Sequence, residues 1–288
     1  MSGLKRRLAQ PEILIAPGIF DMISLKIAGS LGFDAHYMTG YGTVASHLGL
    51  PDAGLATYSD MVNRVQAFAQ VSSVPLIADG DTGYGGLLNV EHTVRGYERA
   101  GAAAIQLEDQ EFPKKCGHTP GRRVVPIEEM VRKIRVANDS RDGSDFLIIA
   151  RTDARTALGL DEALRRGDAY ARAGADVLFI ESPESVEEME QICRSFDLPL
   201  LANLVEGGRT PILSGPELQA LGYSLAIFPA LGFLAAGAAL RDAYATLKTS
   251  GDSRRYGGEL YDFMDFSRLM GFEKVWDFER RHGKEESS

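Results

Sequence analysis

The sequence is short of cysteine, with two in 288 residues, and it carries a single tryptophan. Two cysteines cannot build the disulfide framework of a small secreted scaffold. Their settings also differ. Cys116 lies in Lys114-Lys115-Cys116-Gly117-His118, and Cys193 lies in a helical pattern with Met189, Ile192 and Phe196. Cys193 therefore reads as core, a disulfide is not expected, and a reducing cytoplasm is the expected compartment. Long apolar runs are missing as well. None approaches the ~20 residues a bilayer crossing requires, and Met1–Pro11 has basic side chains without the apolar centre of a secretory signal. Excess positive charge is absent: the formal net charge is −9. That disfavours nucleic acid or an anionic membrane as partner, while leaving room for a local cationic pocket around a small anion.

What the chain does have is an alternation of short apolar runs and amphipathic segments, with no low-complexity linker. Strands are predicted at Ile13–Ala16, His36–Thr39, Leu76–Asp79, Ala104–Glu108, Leu147–Arg151, Val177–Glu181, Leu200–Asn203 and Leu225–Pro229. Helical periodicity covers Ser24–Leu31, Asn89–Ala100, Ile127–Asn138, Leu160–Ala173, Val186–Phe196 and Gly215–Leu221. Such βα repetition predicts a parallel sheet. Eight units suit a (β/α)8 TIM barrel, with an open doubly wound sheet as the alternative. We expect one barrel domain over 1–288 with a C-terminal helical extension from about 235. The extension holds a helix at Ala235–Lys248, a Gly-rich break and an amphipathic tail, Leu260–Arg281, too apolar to stand free.

The predicted strands end in Thr39, Asp79, Glu108, Arg151, Glu181 and Asn203. A barrel gathers those ends at one mouth, where active sites sit. Some could equally serve as helix N-caps.

Two segments carry the chemistry. In Asp79-Gly80-Asp81, alternate side chains of a strand share a face, so both carboxylates can point into the mouth. With Asp52 and Glu108 nearby, four carboxylates would repel unless a cation sat among them. Oxygen ligands suit Mg²⁺, which keeps several waters and needs only one or two carboxylates. The bland reading is that the aspartates cap a Gly-rich turn. A phosphate loop is excluded by the missing Lys-Ser/Thr ending. Cys116, beside Lys114, Lys115 and His118, can be an activated thiol, or a small buried hydrophobe. Arg151 offers bidentate recognition of a carboxylate, or an ion pair with Asp153 or Glu181. Asn203 and Glu206 bind substrate or order their loop. His36, His47, His92 and His282 read as structural or solvated.

Taken together, Thr39-Gly40-Tyr41, Leu48–Asp52, Asp79–Gly83, Glu108-Asp109-Gln110, Lys114–His118, Ala150–Asp153 and Asn203–Pro211 make the chain resemble the isocitrate lyase/phosphoenolpyruvate mutase superfamily over essentially its whole length. The resemblance implies a (β/α)8 barrel whose eighth helix is exchanged between subunits of a homotetramer. It implies Mg²⁺, with Mn²⁺ as a substitute, at Asp79 and Asp81, supported through water by Asp52 and Glu108. Thr39, Gly40, Tyr41 and Arg151 would bind the α-oxygenated acid, with Gly117, His118, Glu181, Asn203 and Pro229 also at the site. Cys116 matches the catalytic cysteine of the lyase branch, with Tyr41 and His118 as further catalytic candidates. The expected substrate is a small dicarboxylate. Leu234 and Gly257 align where cleavers of 2-methylisocitrate carry arginines. Val205-Glu206-Gly207-Gly208 looks more like the branch acting on 2-alkylmalates such as 2,3-dimethylmalate, which yields pyruvate and propionate, and Pro229 aligns where oxaloacetate-hydrolysing relatives tend to have serine. Cleavage of 2-methylisocitrate, hydrolysis or decarboxylation of oxaloacetate, and a non-catalytic binding subunit are the alternatives.

Overall fold

The computed structural model describes residues 3–117 and 121–283. Its frame is eight parallel strands: β1 (Leu14–Ile19), β2 (His36–Met38), β3 (Leu76–Asp79), β4 (Ala104–Glu108), β5 (Leu147–Thr152), β6 (Val177–Ile180), β7 (Leu201–Asn203) and β8 (Leu225–Phe228). Neighbours in sequence pair side by side, and β1 pairs with β8. The remaining seam, between β6 and β7, is joined by a parallel bridge from Leu178 to Leu200. The chain is therefore the (β/α)8 barrel that the alternation of elements predicts, and the open sheet is set aside.

The lumen is filled by inward side chains, as an eight-stranded barrel requires. Leu14, Ala16, Ile77, Leu147, Ile149, Phe179 and Ile227 form that inner core, and Leu4 of a short N-terminal helix, Gly3–Leu8, joins it. A larger apolar layer lies between strands and helices, with Met61, Val65, Phe68, Val94, Ile134 and Ile192 among its buried members.

Two helices at Gly40–Leu48 and Tyr58–Val71 went beyond the periodicity reading. The first opens on Gly-Tyr-Gly, weak helix-forming sequence, yet Thr39 caps it through the Gly42 N–H. The second starts with a Thr57/Asp60 capping box and buries Met61, Val65 and Phe68 on one face.

The chain divides into two compact units, 1–233 and 234–288. Most of the helix Leu231–Ser250 belongs to the second, together with helices Phe263–Met270 and Phe272–His282. Gly271, at φ 99°, separates those two, so the tail is a pair of helices. None of the three helices contains a buried residue. No helix among the described residues is long and apolar enough to cross a membrane.

Candidate active site

The strands deliver their C-terminal residues to one pocket. Tyr37, Thr39, Asp79, Glu108, Arg151 and Asn203 line its floor and walls. Lys114, Lys115, Cys116 and Gly117 lie along it, from the segment after β4. Tyr41, Asp52, Val205, Pro229 and Phe233 complete the lining. The segment bearing Cys116 is held at its base by Glu111 N–H bonding the Arg123 carbonyl at 2.8 Å. Gln110 grips it further along, bonding Lys115 N–H and carbonyl at 3.0 and 2.9 Å. The Cys116 N–H reaches the Asp52 carbonyl at 3.2 Å.

Arg151 is the cationic pole. Its Nε and Nη2 donate to Asp153 at 2.8 and 2.9 Å. Nη2 also meets Glu181 at 3.2 Å, and Nη1 meets Glu108 at 3.4 Å. Burial opposes the charge, but these carboxylates outweigh it and hold the guanidinium well above its ordinary pKa. Arg151 thus makes the ion pairs anticipated for it, with Asp153 and Glu181, and also lines the pocket. Glu181 is wholly buried behind the wall, where it also accepts from Asn203 Nδ2 at 3.1 Å. It orients two lining groups without lining the pocket itself.

The acidic pole is more crowded. Asp79 ends β3 on the inner face, but Asp81 lies beyond the strand at φ 48°, in the left-handed region that aspartate tolerates. Strand alternation therefore does not place it. Its carboxylate instead takes the Lys114 ammonium at 2.6 Å, which Asp52 shares at 2.5 Å. The sequence grouped Lys114 with the thiol; the fold gives its charge to the carboxylates. Burial works against the lysine's charge, and the attraction of Asp81 and Asp52 keeps its pKa well above the ordinary value. Burial pushes Asp81 up to about 7, against the pull of Lys114. Burial likewise carries Glu108 well above the usual carboxylate range, with Arg151 and Lys114 opposing.

The donor set fits a hard cation. It is all oxygen, Glu108 Oε1 is buried without a hydrogen-bond partner, and Asp79 Oδ2 faces Gly40 so closely that a β-carbon there would stand 2.5 Å away. Gly40 thereby keeps the space beside Asp79 open. Among the described residues, no three acidic, histidine or cysteine side chains are grouped so as to hold a metal ion by themselves. Mg²⁺ keeps several waters and needs only one or two protein carboxylates.

Of the other expected residues, Thr39, Tyr41, Cys116, Gly117 and Pro229 line the pocket. Tyr41 is partly exposed, its ring 5.3 Å from that of Phe233. His118 lies outside the described residues. His36 is buried against Ser72, with Nδ1 2.9 Å from the hydroxyl, which makes it structural, and the exposed His92 lies against the Tyr58 ring at a tilted 58°. Tyr37 and Gln106 were not singled out from sequence. Each sits two residues before a strand-end polar residue, so the same period of two could have found them. Val205 and Phe233 carry no such signal.

A closed parallel barrel with acids, an arginine and a thiol at the C-terminal mouth defines a TIM-barrel enzyme. The chain belongs to the phosphoenolpyruvate mutase/isocitrate lyase superfamily: the family model described as phosphoenolpyruvate phosphomutase matches residues 4–248. It is 50% identical over 279 residues to 2,3-dimethylmalate lyase of Eubacterium barkeri, covering 97% of this chain and 96% of that one. The structure of an oxaloacetate acetylhydrolase with the inhibitor 3,3-difluorooxalacetate superposes with TM-score 0.93 at 36% identity, covering 99% and 98% of the two chains. A phosphonopyruvate hydrolase, solved with oxalate and Mg²⁺, superposes with TM-score 0.87 at 32% identity, covering 99% and 100%.

Proposed function

We propose that this protein is a Mg²⁺-dependent carbon–carbon lyase that cleaves a 2-alkylmalate such as 2,3-dimethylmalate into pyruvate and propionate. The observation that carries the reading is the convergence of Asp79, Glu108, Arg151, Asn203 and Cys116 on one pocket. The 50% identity to a lyase of that substrate supports it. Arg151 and Asn203 bind a carboxylate of the substrate, with Thr39 and the Gly40 backbone beside them. Asp79 and Asp81 would hold the cation, with Asp52 and Glu108 supporting it through water. Bound there, the divalent ion supplies Lewis-acid stabilisation of negative charge on the 2-oxygen and its carboxylate.

The substrate's 2-hydroxyl gives its proton to Tyr41 or to a neighbouring carboxylate. The C2–C3 bond then breaks. Its electron pair goes to C3, which leaves as the carbanion of propionate, and C2 becomes the carbonyl carbon of pyruvate. Cys116 donates the proton that completes propionate. His118 belongs to the same proposal through its place beside Cys116 in the sequence. Val205, Pro229 and Phe233 offer an apolar lining to the alkyl groups.

Pyruvate release from a panel of malates, measured with Mg²⁺ and with chelator, tests the assignment. Turnover of 2-methylisocitrate well above every alkylmalate would overturn the substrate; oxalate plus acetate from oxaloacetate would replace the reaction with hydrolysis. Cys116→Ser should abolish cleavage yet still bind oxalate, and wild-type turnover in that variant would remove the thiol from the mechanism. The same reading makes the protein a homotetramer in which the helices after the barrel are exchanged between copies.

A further inference from the structure

A buried amide lies among the apolar side chains of the barrel's lumen. Gln106 is fully buried on β4, in register with Asp79 on β3. A buried amide is costly unless its polar atoms are bonded. Here Nε2 donates to Asp79 Oδ1 at 3.3 Å, and Oε1 accepts from Tyr37 Oη at 3.0 Å. The acceptor-only carboxylate of Asp79 selects one orientation of the amide, since the flipped form would aim its oxygen at that carboxylate, and the Tyr37 O–H then donates to Oε1. Asp79 Oδ1 also receives the Asp81 N–H at 3.1 Å. Its second oxygen, Oδ2, takes no hydrogen bond among the described residues and faces the space that Gly40 leaves. The two donors on Oδ1 therefore fix the carboxylate's rotation, and that rotation determines where Oδ2 points.

We propose that Gln106 is a positioning residue for the divalent cation. It holds Asp79 with Oδ2 presented to the ion, and Tyr37 anchors Gln106 from the far side. The proposal rests on the reading that Asp79 binds the metal. Groups that orient metal ligands in this way are commonly worth about 10- to 100-fold in metal affinity. Gln106→Met keeps the side chain's length and removes both polar bonds. Tyr37→Phe keeps the ring and removes only the anchor, so it is the milder variant.

The test is the dissociation constant of Mg²⁺, by calorimetry, and of Mn²⁺, by electron paramagnetic resonance, on the full-length protein without substrate. Q106M should bind about 10- to 100-fold more weakly, and Y37F should move in the same direction by less. In turnover assays the Mg²⁺ concentration for half-maximal rate should rise in step, with kcat recovered for Q106M at saturating Mg²⁺. A merely structural role would lower thermal stability and would not be relieved by metal. Wild-type affinity in both variants overturns this proposal alone. Absence of Mg²⁺ and Mn²⁺ binding by the wild type overturns the metal reading and this proposal with it.

Discussion

Gly117 packs so closely on Arg151 that a β-carbon at residue 117 would overlap the Nη2 atom and stand 2.9 Å from Glu181 Oε2. The arginine cannot yield freely, because Asp153 fixes its Nε and Nη2 together. Gly117→Ala should therefore displace either Arg151 or the backbone that carries Cys116. A displacement near 1 Å at a reacting centre costs on the order of 100-fold in rate, and we expect kcat/KM to fall by about that factor. Gly143→Ala is the control, since a β-carbon there meets nothing within 4 Å. Steady-state kinetics on the two variants check this; equal, wild-type values would show that the contact imposes nothing.

Asp153 carries two guanidiniums at once. It is fully buried and accepts from Arg151 and, through Arg122 Nη1 at 2.5 Å, from the segment downstream of Cys116. Burial alone would raise its carboxyl, yet Arg151 and Arg122 hold it below the usual carboxylate range. Asp153→Ala leaves both cations buried without it, a change that typically costs 3–5 kcal/mol. Urea unfolding should show a loss of about that size. The depressed pKa also fixes a sign. The unfolded state binds this proton more readily, so the stability is present above the unfolded pKa and is lost as pH falls through the folded one. The acid limb of the wild-type stability profile should therefore flatten in Asp153→Asn.

The barrel was legible because short, mostly apolar strands alternate with helical segments, and the polar ends at Thr39, Asp79, Glu108, Arg151 and Asn203 mark the mouth. What escaped the sequence is long-range charge pairing. Nothing local says that Lys114, two residues from Cys116, spans to Asp52 and Asp81. The helix Gly40–Leu48 escaped for another reason: its glycines have weak propensity, and the caps at Thr39 and Gly49 and the burial of Thr43 and Val44 support it. Gln106 shares a face with Glu108 by the same period of two, but its bonds to Tyr37 and Asp79 on neighbouring strands are long-range and carry no local signal.

The two cysteines should separate chemically. Burial pushes the Cys193 thiol up to about 12, although the Tyr223 hydroxyl bonds it. At pH 8 almost none of it is thiolate, and the thiolate is the reactive form. Cys116 lines the pocket instead. Iodoacetamide at pH 8, followed by peptide mass spectrometry, should label Cys116 and spare Cys193 in the folded protein, and oxalate with Mg²⁺ should slow the reaction at Cys116. Faster labelling of Cys193 would contradict the burial that sets its pKa.

The helices after the barrel make the strongest claim on a second copy of the chain. Leu240 and Tyr244 on the first of them are 50% and 65% exposed, and Phe263 and Phe278 on the later pair are 79% and 59% exposed. A soluble monomer rarely leaves so many large apolar side chains in water on neighbouring turns. Burying one phenylalanine contributes roughly 1.5–3 kcal/mol, so several across an interface suffice to hold an assembly. If these faces pack on another subunit, a single charge there is costly in every interface of a symmetric oligomer at once. Phe263→Asp and Phe278→Asp should each shift the protein to smaller species in light scattering at micromolar concentration, with the barrel's circular dichroism retained. A wild-type protein that runs as a monomer, with these aromatics readily protected from quencher only by its own chain, would remove the proposed exchange of helices and leave the apolar tail to be explained within one subunit.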